Sequence, residues 1–246
     1  MINFLTKTVL CSILLALLSS CAASHDKAFK SDAQRAYEEA KDRMNKGHYA
    51  EVAVSLEKFG ANYPYSKYAI QAELLRIFAA YKDDEFVLSE TLSKRFIDRH
   101  PRHPNVDYAK YMHAMSLYKQ RSPAEKDATM NRLSIEAFKR LLKDHPDSDY
   151  AKDGRSRLQA LYNTLAKHEL TVGKFYYDKD RYIAAANRFQ QVVRLYQTTP
   201  SIEPSLYYLA AAYDKMGMKK DAHETAILLR HNYPNSSWSA KVKSYL

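Results

Sequence analysis

Six residues, Tyr63-Pro64-Tyr65-Ser66-Lys67-Tyr68, recur with small changes further along the chain. The pattern returns as His145-Pro146-Asp147-Ser148-Asp149-Tyr150 and as Tyr233-Pro234-Asn235-Ser236-Ser237-Trp238, with looser copies at His100-Pro101 and at Tyr196. The proline ends a helix, because the residue before a proline is driven out of the α region. The serine two places later can cap the next helix by accepting an amide hydrogen. Recurring stops of this kind predict a helical repeat protein.

A second pattern lies between these stops. It consists of a short break, a bulky residue and, four places later, an alanine that allows two helices to approach closely. It is found as Gly47-His48-Tyr49 with Ala53, Asp180-Arg181-Tyr182 with Ala186, and Met216-Gly217-Met218 with Ala222. A helix, a turn and a second helix, repeated at about 34 residues, is the tetratricopeptide arrangement.

The apolar residues follow helical spacing, and no run alternates as a strand would. Leu158, Leu161 and Leu165 continue one stripe without a stop, which predicts a single long helix over 148–178. The fold class is therefore all-α, a superhelical solenoid of about five tetratricopeptide-like helix pairs, in one domain over 31–246. The predicted pairs are 32–46 and 49–62, 66–83 and 85–99, 104–120 and 132–144, 148–178 and 181–196, and 202–216 and 218–232.

The first 20 residues have the form of a secretory signal. Lys7 precedes an apolar run over Val9–Leu18, and small residues follow in Ser19-Ser20-Cys21. The run is shorter than the roughly 20 apolar residues that a membrane-spanning helix needs. Leu18-Ser19-Ser20-Cys21 resembles the lipobox of bacterial lipoproteins, which implies that Cys21 is lipidated, with 21–30 as a flexible tether. Ala22 stands where an inner-membrane retention signal has Asp, which favours the outer membrane.

The net charge limits the possible binding partners, and the cysteine content limits the possible disulfides. The 246 residues carry a formal net charge of +10, which in a cytosolic protein would suggest nucleic acid. Export excludes that partner and leaves anionic lipid headgroups or acidic protein surfaces. The only cysteines are Cys11, which leaves with the signal, and Cys21, which takes the lipid. No disulfide is expected, so the core alone must hold the fold.

The sequence over residues 165–188 resembles that of a known protein family. Leu165-Ala166-Lys167-His168-Glu169, then Phe175-Tyr176-Tyr177, then the run from Tyr182 to Arg188 resemble the BamD family, as does the stretch from Phe96 to Tyr108. These are tetratricopeptide lipoproteins of the machinery that inserts β-barrels into the outer membrane. A generic repeat protein would match the Ala and Tyr positions but not these loops.

The resemblance implies partners and contact residues. Family members bind the membrane-proximal periplasmic (POTRA) domain of BamA through their C-terminal repeats, and the arginine of the family's Asn-Arg motif matches Arg188. The paired aromatics before the turn match Phe175 and Tyr176. Without the resemblance, Arg188 would be interpreted as a charged side chain that faces solvent on a helix. The resemblance also implies contacts with other Bam lipoproteins and with unfolded outer-membrane protein precursors, the latter through the N-terminal repeats.

One loop departs from the family pattern. Between Tyr118 and Ser134 the family often has a longer loop with Phe-Phe-Gly and an Arg-Asp pair. Here residues 119–126 read Lys-Gln-Arg-Ser-Pro-Ala-Glu-Lys. Contacts made through that loop, including those to accessory lipoproteins, are therefore not predicted here.

No pattern in the sequence predicts an active site. His100 and His103 flank prolines and lack the carboxylates or cysteines that a metal site needs. His168-Glu169 lacks the second histidine of a zinc-protease helix, and neither a glycine-rich phosphate loop nor a nucleophile elbow is present. We expect no catalytic residue, no metal and no cofactor.

Two other functions remain open. The chain could be another outer-membrane tetratricopeptide lipoprotein, such as a pilotin or a division-linked envelope factor. The loops at 98–108 and 165–188 argue against this. It could be an envelope enzyme such as a peptidoglycan hydrolase, against which the missing paired carboxylate site argues.

Overall fold

The computed structural model describes residues 32–121 and 128–246, and every regular element in this part of the chain is a helix. The predicted signal, Cys21, the tether and positions 122–127 of the loop lie outside the described residues. The helices are 32–45 (α1), Tyr49–Ser55 (α2), Phe59–Asn62 (α3), Ala69–Lys82 (α4), Phe86–Arg99 (α5), Val106–Lys119 (α6), Thr129–Asp144 (α7), Ala151–Tyr177 (α8), Tyr182–Leu195 (α9), Ile202–Lys215 (α10), Lys219–Asn232 (α11) and Ser237–Lys241 (α12), followed by a 3-10 turn at Val242–Tyr245.

The described chain divides into two compact units, and the boundary lies inside α6, between Met112 and His113. Helices α1 to α5 and the start of α6 form the first unit. Its core has two apolar clusters, one around Val52 and Phe59 and one around Ile77 and Phe96. The prediction of one continuous domain over 31–246 stays a prediction.

The second unit contains α7 to α12 and the 3-10 turn. Phe189 and Leu209 lie in the cluster that joins α8, α9 and α10. A second cluster includes Leu206, Leu229 and Val242, which brings the 3-10 turn against α10 and α11. The C-terminal residues thus cover the apolar edge of the last helix pair.

The predicted helix pairs are confirmed, with two differences. The predicted helix 49–62 is interrupted after Ser55, so that α2 and α3 are separated by Leu56-Glu57-Lys58. The short helix α12 was not predicted. The long helix is confirmed as α8, with 27 residues, and within the described residues no helix is both long and apolar enough to cross a membrane.

In the three close copies of the stop, the serine makes the expected kind of hydrogen bond, but only one of these serines is a helix cap. The hydroxyls of Ser66, Ser148 and Ser236 each accept from the amide two residues later, at 3.1–3.2 Å. Ser236 is the N-cap of α12. In the other two copies the helix begins one residue after the bonded amide, so those serines fold the turn that precedes the helix.

A left-handed residue sits in four of the turns between helices. It stands two residues before the first helical residue each time, with φ between 57° and 80°, at Gly47, Asp84, Asp180 and Gly217. This periodicity corrects the alignment of one repeat: the counterpart of Tyr49 and Tyr182 is Lys219, not Met218. The three alanines predicted to allow close approach, Ala53, Ala186 and Ala222, are buried.

Candidate functional site

Arg188 lies in the second turn of α9 and faces α8. Its Nη1 donates to Oε2 of Glu169 at 3.1 Å. The Arg188 side chain is 40% exposed and that of Glu169 only 14%. A charge-assisted hydrogen bond to a shielded carboxylate restricts the arginine, because few other conformations keep the carboxylate satisfied. The guanidinium is thus held in place while part of it stays in solvent.

Gln191, one turn after Arg188, supports the same carboxylate. With its amide nitrogen turned toward α8, it donates to both oxygens of Glu169 at 3.0 Å. Both donors come from one face of α9, since residues three apart are neighbours on a helix. Glu169 therefore accepts hydrogen bonds from both side chains and orients Arg188.

A shallow groove of about 360 Å³ lies beside this ion pair. Its lining comprises Tyr176, Ala184, Asn187, Arg188 and Gln191. Tyr176 follows Glu169 by seven residues, which places both side chains on one face of α8. The structure thus brings together two of the three residues predicted from the resemblance, Arg188 and Tyr176.

Phe175 lies outside the groove lining. Its ring packs edge-on against Tyr176, with 5.8 Å between the centroids, and 59% of it is exposed. Ile183, at the start of α9, is 71% exposed. Exposed apolar side chains are typical of protein-binding surfaces.

Close packing of α8 on α9 sets the position of this surface. Gly173 of α8 faces the fully buried ring of Phe189, and a Cβ at position 173 would lie 2.5 Å from Cε1 of that ring. Only glycine permits this separation. Neither Glu169 nor Gln191 was predicted as part of the site, although their spacing from Tyr176 and Arg188 places them on the same helix faces.

The first unit has a groove of its own, of about 370 Å³, between α2–α3, α4 and α5. Leu56, Phe59 and Leu92 line it, and three arginines, Arg76, Arg95 and Arg99, border it. Two of the arginines are paired: Arg76 with Glu57 at 3.4 Å and Arg99 with Glu73 at 3.3 Å. No described carboxylate pairs with Arg95.

Comparison with known proteins shows which family the chain belongs to. A family model described as "Outer membrane lipoprotein" (YfiO) matches residues 30–228. The outer membrane protein assembly factor BamD of Neisseria meningitidis is 33% identical over 247 residues, covering 94% of this chain and 92% of that one. The chain belongs to the BamD (YfiO) family.

Other BamD proteins agree over similar lengths. The Vibrio cholerae protein is 29% identical over 228 residues, covering 89% of this chain and 95% of that one. Matches among solved structures include tetratricopeptide proteins of low sequence identity. The TPR2AB domain of yeast Sti1 gives a TM-score of 0.42 at 15% identity, covering 87% of this chain and 82% of that one.

In this BamD-family chain, His100 and His103, which each precede a proline, pack against one aromatic ring. The rings of His100 and His103 lie against Phe96, with centroids 4.9 and 5.6 Å away. The Nδ1 of His103 accepts from the amide of Asn105 at 3.1 Å. Among the described residues, no group of three or more His, Cys, Asp or Glu is placed to hold a metal ion.

Proposed function

We propose that this chain is a non-catalytic scaffold of the outer-membrane β-barrel assembly (Bam) complex and binds the periplasmic POTRA domain of BamA through the α8–α9 surface. Family membership and the names of relatives that match nearly the whole chain support this function. The observation that carries the binding site is the half-exposed Arg188, oriented by Glu169 beside the groove that Tyr176 lines.

The chemistry of the surface suggests what it binds. A guanidinium has five N–H donors, and Arg188 directs one nitrogen at Glu169, which leaves donors for a carboxylate or carbonyl of the partner. The exposed faces of Phe175 and Ile183 would lose water on contact. Arginine and tyrosine, two of the residue types that line this groove, are enriched in binding hot spots.

Replacing Arg188 tests this site. We expect Arg188→Glu to weaken co-purification with BamA by at least tenfold, because it puts a negative charge beside Glu169 and against the partner's acceptor. Arg188→Lys should lose part of the binding, since lysine keeps the charge but not the planar fork. Arg194→Glu, on the exposed last turn of the same helix, is the matched control.

Thermal unfolding of each variant separates lost binding from lost folding. Undiminished co-purification of a folded Arg188→Glu variant would remove Arg188 from the site. Depletion of the protein should lower outer-membrane porins in general, whereas a pilotin or a division-linked factor would leave them largely unchanged. A clearing band in a zymogram would contradict the non-catalytic role.

The groove of the first unit is the feature best suited to an unfolded precursor. Its apolar lining can take side chains of an extended segment, and Arg95 at its border has no described acidic partner. A photo-crosslinking residue in place of Arg95 should capture barrel precursors, and one in place of the neighbouring Lys94, which pairs with Asp98 at 3.9 Å, should capture fewer. Equal capture at both positions would argue against the groove.

The proposed scaffold is lipid-anchored through Cys21 to the outer membrane and faces the periplasm, where it meets BamA and other Bam lipoproteins. The family description, an outer membrane lipoprotein, supports the anchor, as does the lipobox pattern that ends at Cys21.

A further inference from the structure

One end of the first unit carries the two turns that precede α4 and α6. The rings of Tyr37, in the second turn of α1, and Tyr68, just before α4, stack with 5.2 Å between their centroids. His100 and Arg99, at the end of α5, both reach Glu73 in the second turn of α4, at 3.4 and 3.3 Å. The first turn of α1, the turn 63–68 and the turn 99–105 therefore lie at one end of the unit. We call this the end face.

The end face is basic and aromatic. Tyr65 is 100% exposed at the tip of its turn, and Lys67 and Arg102 are exposed as well. No described carboxylate pairs with either cation; Lys67 lies 5.2 Å from the ring of Tyr68. The sequence contains no Asp or Glu over 62–68 or 99–105. Asp32 pairs with Arg35 in the first turn of α1 and so adds little net charge.

The other copies of the same turn provide an internal comparison. Where the first copy has Tyr65 and Lys67, the second has Asp147 and Asp149, and the third has Asn235 and Ser237. All of these side chains are exposed, and in every copy the serine between them makes the same hydrogen bond. The fold therefore does not require tyrosine and lysine at these positions, and their presence in one copy needs another reason.

The position of the anchor supplies that reason. Cys21 precedes Asp32, at the start of the described α1, by only 11 residues, and a chain of that length spans at most about 40 Å. A lipid on Cys21 would keep the first turn of α1 within that distance of the bilayer. Tyrosine is favoured at the headgroup level of a membrane, and lysine and arginine are attracted to anionic lipids.

We propose that the end face contacts anionic phospholipid headgroups of the membrane that holds the anchor. The inference rests on the proposed lipidation of Cys21. Each of the two unpaired cations should strengthen the contact by about fivefold at low ionic strength, and salt should weaken it. Contact through the end face would orient the first unit on the membrane, which a lipid anchor alone would not do.

The test uses the full lipidated chain in vesicles of phosphatidylethanolamine and phosphatidylglycerol. With Cys21 acylated, Tyr65→Cys introduces one thiol for an environment-sensitive fluorophore, and Asn235→Cys, at the same position of the third copy, is the matched control. We expect a blue shift and protection from iodide at position 65 only. Adding Lys67→Asp or Arg102→Asp should reduce the protection about fivefold, and vesicles of phosphatidylcholine alone should give little.

Flotation of the vesicles separates the two proposals. A chain that does not float has no anchor, and the end-face contact then fails with it. If the chain floats but the probe at position 65 stays as exposed as at position 235, the anchor stands and the end-face contact is overturned. Protection that arises only after BamA is added would assign the end face to a protein partner and overturn the lipid contact.

Discussion

At the scale of single residues, the distance between α8 and α9 depends on the absence of a Cβ at Gly173. Gly173→Ala would place a Cβ 2.5 Å from the ring of Phe189, which is fully buried and cannot swing away. Overpacking of this kind costs about 1–3 kcal/mol, more than the roughly 1 kcal/mol that alanine gains over glycine in a helix. We expect the free energy of unfolding in urea to fall, by up to about 2 kcal/mol.

Gly154, in the same helix, is the matched control. A Cβ there would meet side chains of α7 at 3.5–3.6 Å, which is ordinary contact. Gly154→Ala should therefore leave the stability unchanged or raise it by up to about 1 kcal/mol. Equal losses at both positions would show that close packing against Phe189 is not the cause.

Tyr177 makes the stability depend on pH in the alkaline range. Burial, with smaller contributions from nearby tyrosines such as Tyr245 and Tyr182, raises the pKa of its hydroxyl to about 12. In the unfolded chain a tyrosine has a pKa of about 10. The unfolded state thus loses its proton first, so the stability present below pH 10 declines as the pH rises toward 12. Tyr177→Phe should make the decline in unfolding free energy over this range shallower.

Only part of the candidate site could be predicted at this scale. Arg188 and Tyr176 were named through the family resemblance, and the structure places both beside one groove. The role of Glu169 was missed because its ion pair joins two helices. Which residue of α8 meets a given residue of α9 depends on their separation, and that is set by the Gly173–Phe189 contact. No local pattern encodes it.

At the scale of elements, the left-handed residue two places before four of the helices is a requirement of the turn. At Gly217 φ is +77°, and a Cβ there would meet nothing within 4 Å. Any cost of Gly217→Ala therefore comes from the backbone alone, roughly 1–2 kcal/mol for an L residue in this region. We expect the melting temperature to fall.

Gly60 of α3 separates this effect from a general response to added methyl groups. It too has open space around a Cβ, but its φ is not positive. Gly60→Ala should be neutral or stabilising, because alanine favours the helix. If both substitutions proved neutral, the left-handed turn would not limit the stability of the repeat.

Most elements could be predicted because their ends depend on local residues. The proline stops and the turns at Gly47 and Gly217 act within a few positions, and the helices begin and end near them. The break after Ser55 was missed because Leu56-Glu57-Lys58 contains neither Gly nor Pro. Helix α12 was missed because five residues cannot form a helix alone, and packing of Val242 and Trp238 on the last pair stabilises it.

At the scale of the whole molecule, the proposed membrane attachment depends on Cys21, which precedes the described helices. The described residues contain no helix able to cross a membrane, and two or more acyl chains are enough to hold a protein on a bilayer stably. The end-face contact would add orientation to this attachment without replacing it, because one tyrosine and two cations bind a membrane only weakly. Removal of the lipid should therefore release the protein.

Cys21→Ser tests this dependence. The variant should lose incorporation of labelled palmitate, because serine cannot form the thioether that starts lipidation, and it should leave the outer-membrane fraction. The other cysteine of the chain, Cys11, gives a matched control. It lies inside the apolar run of the predicted signal and would be removed with it, so Cys11→Ser should keep both label and location. Palmitate labelling that survives Cys21→Ser, or is lost with Cys11→Ser, would place the acceptor elsewhere. A labelled chain that fractionated with the inner membrane would show instead that Ala22 is not sufficient for sorting.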